Sequence, residues 1–312
     1  MEFIIENNCS NPENIEAINP HIKPLFHELF DNLNISSLEY FVIADSEEEN
    51  YAKAVLKYAS MVGTEAHVTQ DGHYFTAGKS LDGIDEDGRL HQAIVIKSSI
   101  WVCAALEYMR SQGFLSEELL RQLYPNYTAL PLIMHEIGHA IDNENQYKMA
   151  GTVNTKIAYD LRYEYDEYIK QTALSLWGEY YAEAFAYRVI RSEEDLTLDK
   201  EEELIKCIKS HSLGINQNAL LERIYRILYY FVIRLAFIHQ QNNYSKPFDY
   251  SAFEQLELAY DYIPFFERTE LAIIDLYKDY PKWDTYDKLN ELSTIIKDFL
   301  SFERRRQENQ QL

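Results

Sequence analysis

The sequence predicts an α+β fold, with a small β-sheet built in the first third of the chain and a longer, mostly α-helical remainder. Three observations carry this. Alternating or β-rich runs with Asp-Gly turn signals are confined to residues 38–99, and apolar residues recur at helical spacing from residue 128 onward. A hydrophobic content of 46% over 312 residues is enough to bury a large core. The chain divides into an N-terminal α/β part (1–127), a middle part of two helices (128–192) and an α-helical C-terminal region (193–312). It has no internal repeat and no Ser/Gly-rich linker.

Residues 1 to about 37 are polar and punctuated by Pro12, Pro20 and Pro24, which predicts short segments, HIKPLFHELFDNL being one amphipathic helix. SLEYFVIAD predicts a strand ending at Asp45. SEEENYAKAVLKYASMVG predicts a helix with Ser46 as N-cap, Glu49 three residues on and Gly63 as its stop. Asp71-Gly72 and Asp87-Gly88 then separate two or three strands, of which HQAIVIKSS is the clearest. IWVCAALEYMRSQGFLSEELLRQLYPNY predicts helix, broken near Gly113 and ended before Pro125.

Thr128 offers an N-cap, and Pro131 falls in the first turn of the next helix, where its missing N–H costs nothing. Leu132, Ile133, Ile137 and Ala140 predict burial on more than one side of that helix, which should end after Asn143 in a polar loop, NENQYKMAGTVNT. IAYDLRYEYDEYIKQTALSLWGEYYAEAFAYRVIRS predicts a long helix interrupted at Gly178. Further helices are predicted over DLTLDKEEELIKCIKSH, NALLERIYRILYYFVIRLAFIHQQ and YDKLNELSTIIKDFLSFERRRQ, with a loop at Pro247 and a frayed ERRRQENQQL end.

The charge balance, 29 − 51 = −22, repels phosphate backbones and anionic lipid, so neither nucleic acid nor membrane is an expected partner. MEFIIENNCSNPEN lacks the basic, apolar and small-residue stretches of a secretory signal, and YYFVIRLAFI is too short to span a bilayer and carries Arg234. A cytoplasmic protein is the expectation. Cys9, Cys103 and Cys207 are odd in number and include no CxxC, which indicates neither a disulfide framework nor a cysteine zinc site. Gly78-Lys79-Ser80 is not a phosphate loop, because Gly72 lies one residue too far upstream.

The chemistry-bearing stretch is HEIGH, within TALPLIMHEIGHAIDNE. His135 and His139, four apart on a helix, project from one face at the spacing a single metal ion needs. Glu136 lies about 100° round the helix, placed to act on a metal-bound water without being a ligand. Two histidines are too few for a catalytic zinc, which takes three protein ligands and leaves a fourth position to water. The metzincin continuation needs Gly at 142 and His at 145, whereas this chain has Asp142 and Asn145. Downstream, WGEYYAEAFAYR offers Glu179 and Glu183 four apart on one helical face, one to ligate and the other to accept a hydrogen bond from a ligating imidazole. Asp160, Glu164 and Asp166, in a stretch where acids and tyrosines alternate, are weaker candidates for the same role.

These residues resemble the gluzincin metallopeptidases, in which a downstream helix reading E-x-x-x-D or a close variant supplies the third ligand from its first acid. The resemblance implies Zn²⁺ as cofactor, Glu179 as ligand and Glu183, in place of the usual Asp, as its partner behind the ligands. E-Y-Y-A-E-A-F-A is also similar to the E-x-x-A-x-x-F-A helix of small cytoplasmic gluzincins of the ImmA/IrrE type. The likeness covers about residues 128–190 and implies a zincin-like core: a small mixed sheet, the HEIGH helix and the Glu-bearing helix.

The expected function is zinc-dependent hydrolysis of peptide bonds, with Glu136 as general base and a peptide or protein as substrate. The sheet edge bordering the HEIGH helix, expected near Ala93 to Lys97, would hold an extended peptide by strand addition. Tyr180, Tyr181 and Tyr187 are candidates for hydrogen bonding to the transition state. The alternatives are a non-catalytic zinc-stabilised binding or regulatory protein, and a toxin or effector protease with one protein substrate.

Overall fold

The computed structural model describes residues 2–6, 12–33, 35–65, 78–116, 118, 129–150, 165–190, 198–210, 217–244, 247–251, 260–283 and 286–310. The chain is α+β, mostly helical, with one small mixed sheet of four strands among the described residues. It forms two compact units, Met1–Tyr147 and Lys148–Leu312. No helix among the described residues is long and apolar enough to cross a membrane.

In the first unit the strands are β1 (Glu2–Ile5), β2 (Leu38–Ala44), β3 (Gly78–Ile84) and β4 (Leu90–Lys97), in the order β1-β2-β4-β3. β1, β2 and β4 run parallel, and β3 is antiparallel to β4. Strand periodicity sends successive side chains to opposite faces. Val42, Ala44, Ala93 and Val95 pack with Tyr51, Ala54, Val55 and Tyr58 of α2 (Glu48–Met61). On the opposite face Phe3 and Phe41 meet Phe26 of α1 (Pro12–Asn32) and Trp101 of α3 (Ser98–Ser111). Both faces of β2 and β4 are therefore covered, which is why these strands read as nearly continuous apolar runs.

β4 is interior, flanked by β2 and β3, so the expected edge strand at Ala93 to Lys97 is corrected: the edge beside the HEIGH helix is β3. The N-terminal segment also differs from expectation. β1 pairs with β2, and α1 runs unbroken for 21 residues through Pro20 and Pro24. Each proline removes a bond to the carbonyl four residues back, but both lie on the exposed face, where water can take the freed carbonyls. Ile15, Ile22 and Phe26, at 2% exposure or less, hold the other face. Ser46 does not cap α2; its hydroxyl accepts from the Ser99 N–H, and the cap position falls to Glu47.

The HEIGH helix, α4, spans Ala129–Ala150 and does not stop after Asn143. Of the expected loop, residues 143–150 are helical with several polar side chains paired, and residues 151–155 lie outside the described residues. Glu144, buried, accepts from the Ser36 and Ser37 hydroxyls and the Ser37 N–H, Gln146 donates to Asp142, and the Tyr147 hydroxyl donates to the Gly88 carbonyl. Leu132, expected inside, is exposed.

The elements of the second unit among the described residues are all helices: α5 (Tyr165–Ile190), α6 (Leu198–Lys209), α7 (Gln217–Asn242), α8 (Ile263–Asp279) and α9 (Asn290–Gln310), besides two short 3-10 turns. α5 packs on α7 and α9, and α6 on α7. α5 passes through Gly178 without a break, because packing on nearly every side outweighs the ~1 kcal/mol that a helical glycine costs. The expected fraying at ERRRQ is absent: Glu303 is buried and bonded by the Tyr262 hydroxyl, which Arg306 also reaches. α8 lies within the region expected to be α-helical, although the sequence predicts no separate segment there, and the expected boundary between residues 192 and 193 lies outside the described residues.

His91 on β4 lies between two acids, 2.6 Å from Glu39 and 2.9 Å from Asp85. The Asp85 and then the Glu39 hydrogen bond hold its imidazole above the ordinary histidine value. A histidine raised in the folded state contributes stability that is complete below the unfolded value and is lost as pH rises through the folded one. The stability difference between wild type and His91→Gln, read by urea denaturation, should therefore shrink as pH is taken from about 5 to about 9. By NMR the His91 ring should titrate above about 6.5.

Candidate metal centre

His135 and His139 sit one turn apart on α4, both half-buried. Their Nε2 atoms are 3.0 Å apart, with the rings nearly perpendicular at 86°. Two imidazoles on one ion at 2.0–2.1 Å would place their nitrogens about 3.3 Å apart at tetrahedral angles, so the observed pair is close to ligating geometry. Ile133, Met134, Ile137 and Ala140 are fully buried and fix the helix faces on either side.

Glu136 lies against the edge strand. One carboxylate oxygen, Oε2, accepts the Ser80 N–H at 2.7 Å. Gly78 makes this approach feasible: a Cβ there would meet the Ile96 Cδ1 at 2.5 Å and the Glu136 Cγ at 2.9 Å. The requirement is for space, since the glycine φ is not in the left-handed region.

Two further attachments of α4 were not visible in the sequence. The buried Glu107 of α3 accepts the N–H of Ala129 at 2.9 Å and of Leu130 at 2.7 Å, satisfying two orphan donors of the helix N-terminus and placing negative charge at its positive end. Burial raises the Glu107 carboxyl against the opposing effect of these two bonds. The Gln92 side chain, fully buried on β4, donates to the Ala140 carbonyl at 3.0 Å and to the Ser37 hydroxyl at 2.7 Å. Glu107 lies 22 residues from the group it caps, and no local spacing signals such a partner. Thr128, the expected N-cap, lies outside the described residues.

On α5, Gln171, Ser175, Glu179 and Glu183 form a half-buried stripe at four-residue spacing on a helix otherwise largely enclosed. Tyr180 is fully buried with its hydroxyl 2.8 Å from His239 Nδ1; Tyr181 packs on Trp177 and Tyr280; Tyr187 packs on Phe237. Tyr229 of α7, unremarked in the sequence, feels this stripe: burial first, then the charges of Glu179 and Glu183, push its phenol well up. Of the weaker candidates, Asp166 is paired with Lys297 at 2.7 Å in an exposed setting, and Asp160 and Glu164 lie outside the described residues.

No protein-family model, no curated protein and no solved structure matches the chain.

Gly78→Ala must displace Ile96 or Glu136, and such overpacking should lower stability by about 1–3 kcal/mol in urea denaturation.

Proposed function

We propose that this protein is a zinc metallopeptidase of gluzincin type with a zincin-like core, in which His135, His139 and Glu179 hold Zn²⁺. The observation that carries the reading is that His135, His139 and Glu179 each offer one ligand atom and these atoms all lie within 4.8 Å of one another. Two imidazoles and one carboxylate form the donor set that suits a catalytic zinc with a position left for water. When bound, the ion supplies a water of lowered pKa and polarises the scissile carbonyl.

Glu136 is the general base. It takes the proton of the attacking water and returns it to the leaving amine. Because the Ser80 N–H holds Oε2, the other oxygen, Oε1, is left for this proton traffic. Glu183, one turn beyond Glu179, accepts a hydrogen bond from a ligating imidazole and so sets its tautomer. β3, which among the described residues is the edge strand that touches Glu136, is the side of the sheet to which an extended peptide would add. The acid beside the first histidine favours catalysis over a structural zinc, which has no use for a base at that position. A peptide or protein substrate and a cytoplasmic setting complete the reading.

Purified wild type and Glu136→Gln should each carry about one zinc by metal analysis, while cleavage of a proteome-derived peptide library falls on the order of 10²-fold or more in the variant. Two zinc-loaded proteins that are both inert across the library would leave the metal site and remove the peptidase. Glu179→Ala should lose zinc far more completely than Glu183→Ala, whose affinity should drop about 10–100-fold. The reverse order would move the ligand assignment to Glu183.

A further inference from the structure

Tyr180 follows Glu179 directly on α5, about 100° round the helix, and is completely buried. Its hydroxyl lies 2.8 Å from Nδ1 of His239 on α7 and 3.3 Å from the Tyr244 hydroxyl. His239, also fully buried, has its Nε2 3.4 Å from Oε1 of Glu270 on α8. Glu270 is itself buried and accepts the Phe248 N–H at 2.9 Å and the Tyr250 hydroxyl at 2.7 Å. Burial raises the Glu270 carboxyl, but the bonds from His239, Tyr250 and Phe248 prevail and hold it below its usual value. It is thus an acceptor-only carboxylate, and the Nε2–H of His239 donates to it. Gln240 donates to the Tyr244 hydroxyl at 2.8 Å. A polar chain, Tyr180–His239–Glu270, therefore crosses three helices through the buried interior.

Apolar contacts alone resist separation of helices better than they resist small rotations, because dispersion and hydrophobic burial are non-directional. A buried hydrogen bond is directional, and breaking it strands polar groups away from water. We propose that His239 is a positioning residue: through Tyr180 it fixes the rotation of α5 about its own axis, and so the direction in which Glu179 is presented to the metal. The inference rests on Glu179 being a ligand. Glu270 holds the histidine ring, and the backbone and hydroxyl donors around Glu270 hold the carboxylate.

The test uses the full chain, with Zn²⁺ alone as the probe. Zinc affinity is measured by competition with a chromophoric chelator, and thermal unfolding is followed in the presence of EDTA, for wild type, Tyr180→Phe, His239→Gln and Tyr262→Phe. Tyr262 is the control: it is fully buried, its hydroxyl donates to Glu303 and accepts from Arg306, and neither partner belongs to the Tyr180–His239–Glu270 chain. Tyr180→Phe keeps the ring and removes only the link, and should weaken zinc binding roughly tenfold or more. His239→Gln, which keeps a donor toward Glu270, should fall between it and wild type. Tyr262→Phe should lower the unfolding temperature without changing zinc affinity. Folded Tyr180→Phe and His239→Gln that bind zinc like wild type would overturn the proposal, as would an equal loss in Tyr262→Phe. If Tyr180→Phe does not fold, His239→Gln against Tyr262→Phe decides. Wild type without zinc affinity would remove the metal site itself, a result distinct from any difference among the variants.

Discussion

The hydrogen bond from the Ser80 N–H to the Glu136 carboxylate joins the edge of the sheet to the helix that carries the two histidines. Much of the first unit serves to make that contact possible. β3 must be an edge strand for its backbone to face a helix, Gly78 must lack a Cβ, and α4 must be held at the right height along the strand. The height is set by buried polar pairs distributed along the helix: Glu107 at its first residues, Gln92 at Ala140, and Glu144 with Ser36 and Ser37 near its other end. Each pair would be costly to leave half-made, so together they specify one register, whereas apolar faces alone would tolerate several.

The second unit solves the same problem with different materials. α5 is enclosed by aromatic side chains: Trp177 packs against Tyr280 at 4.9 Å and Trp283 at 5.0 Å, and Tyr187 against Phe237 at 4.9 Å. That enclosure leaves one half-buried stripe for Gln171, Ser175, Glu179 and Glu183. A carboxylate in such a stripe is partly desolvated, which makes it a better cation ligand and a worse solitary charge. The abundance of tyrosine follows the same logic, since a phenol fills the interior and still gives its hydroxyl to His239, Glu270 or Glu303.

By itself the sequence determined the local features: β2, β4, α2, α3, α7 and the start of α4, the one-face placement of His135 and His139 with Glu136 beside them, and the Glu179/Glu183 pair one turn apart. These follow from spacings of two, three and four residues, set by backbone geometry whatever the surroundings. What tertiary structure decided are the outcomes that depend on partners distant in the chain. β1 exists because β2 is there to pair with it, and α1 survives two prolines because its other face is buried. α4 continues past Asn143 because Ser36 and Ser37, 108 and 107 residues away, bind Glu144. Which strand forms the edge beside Glu136 was likewise undetermined by pattern, since an interior strand and its neighbour share the same alternation, and only hydrogen-bond pairing settles their order. The Tyr180–His239–Glu270 chain is the same case: three ordinary residues on three helices, made into a restraint by burial and direction.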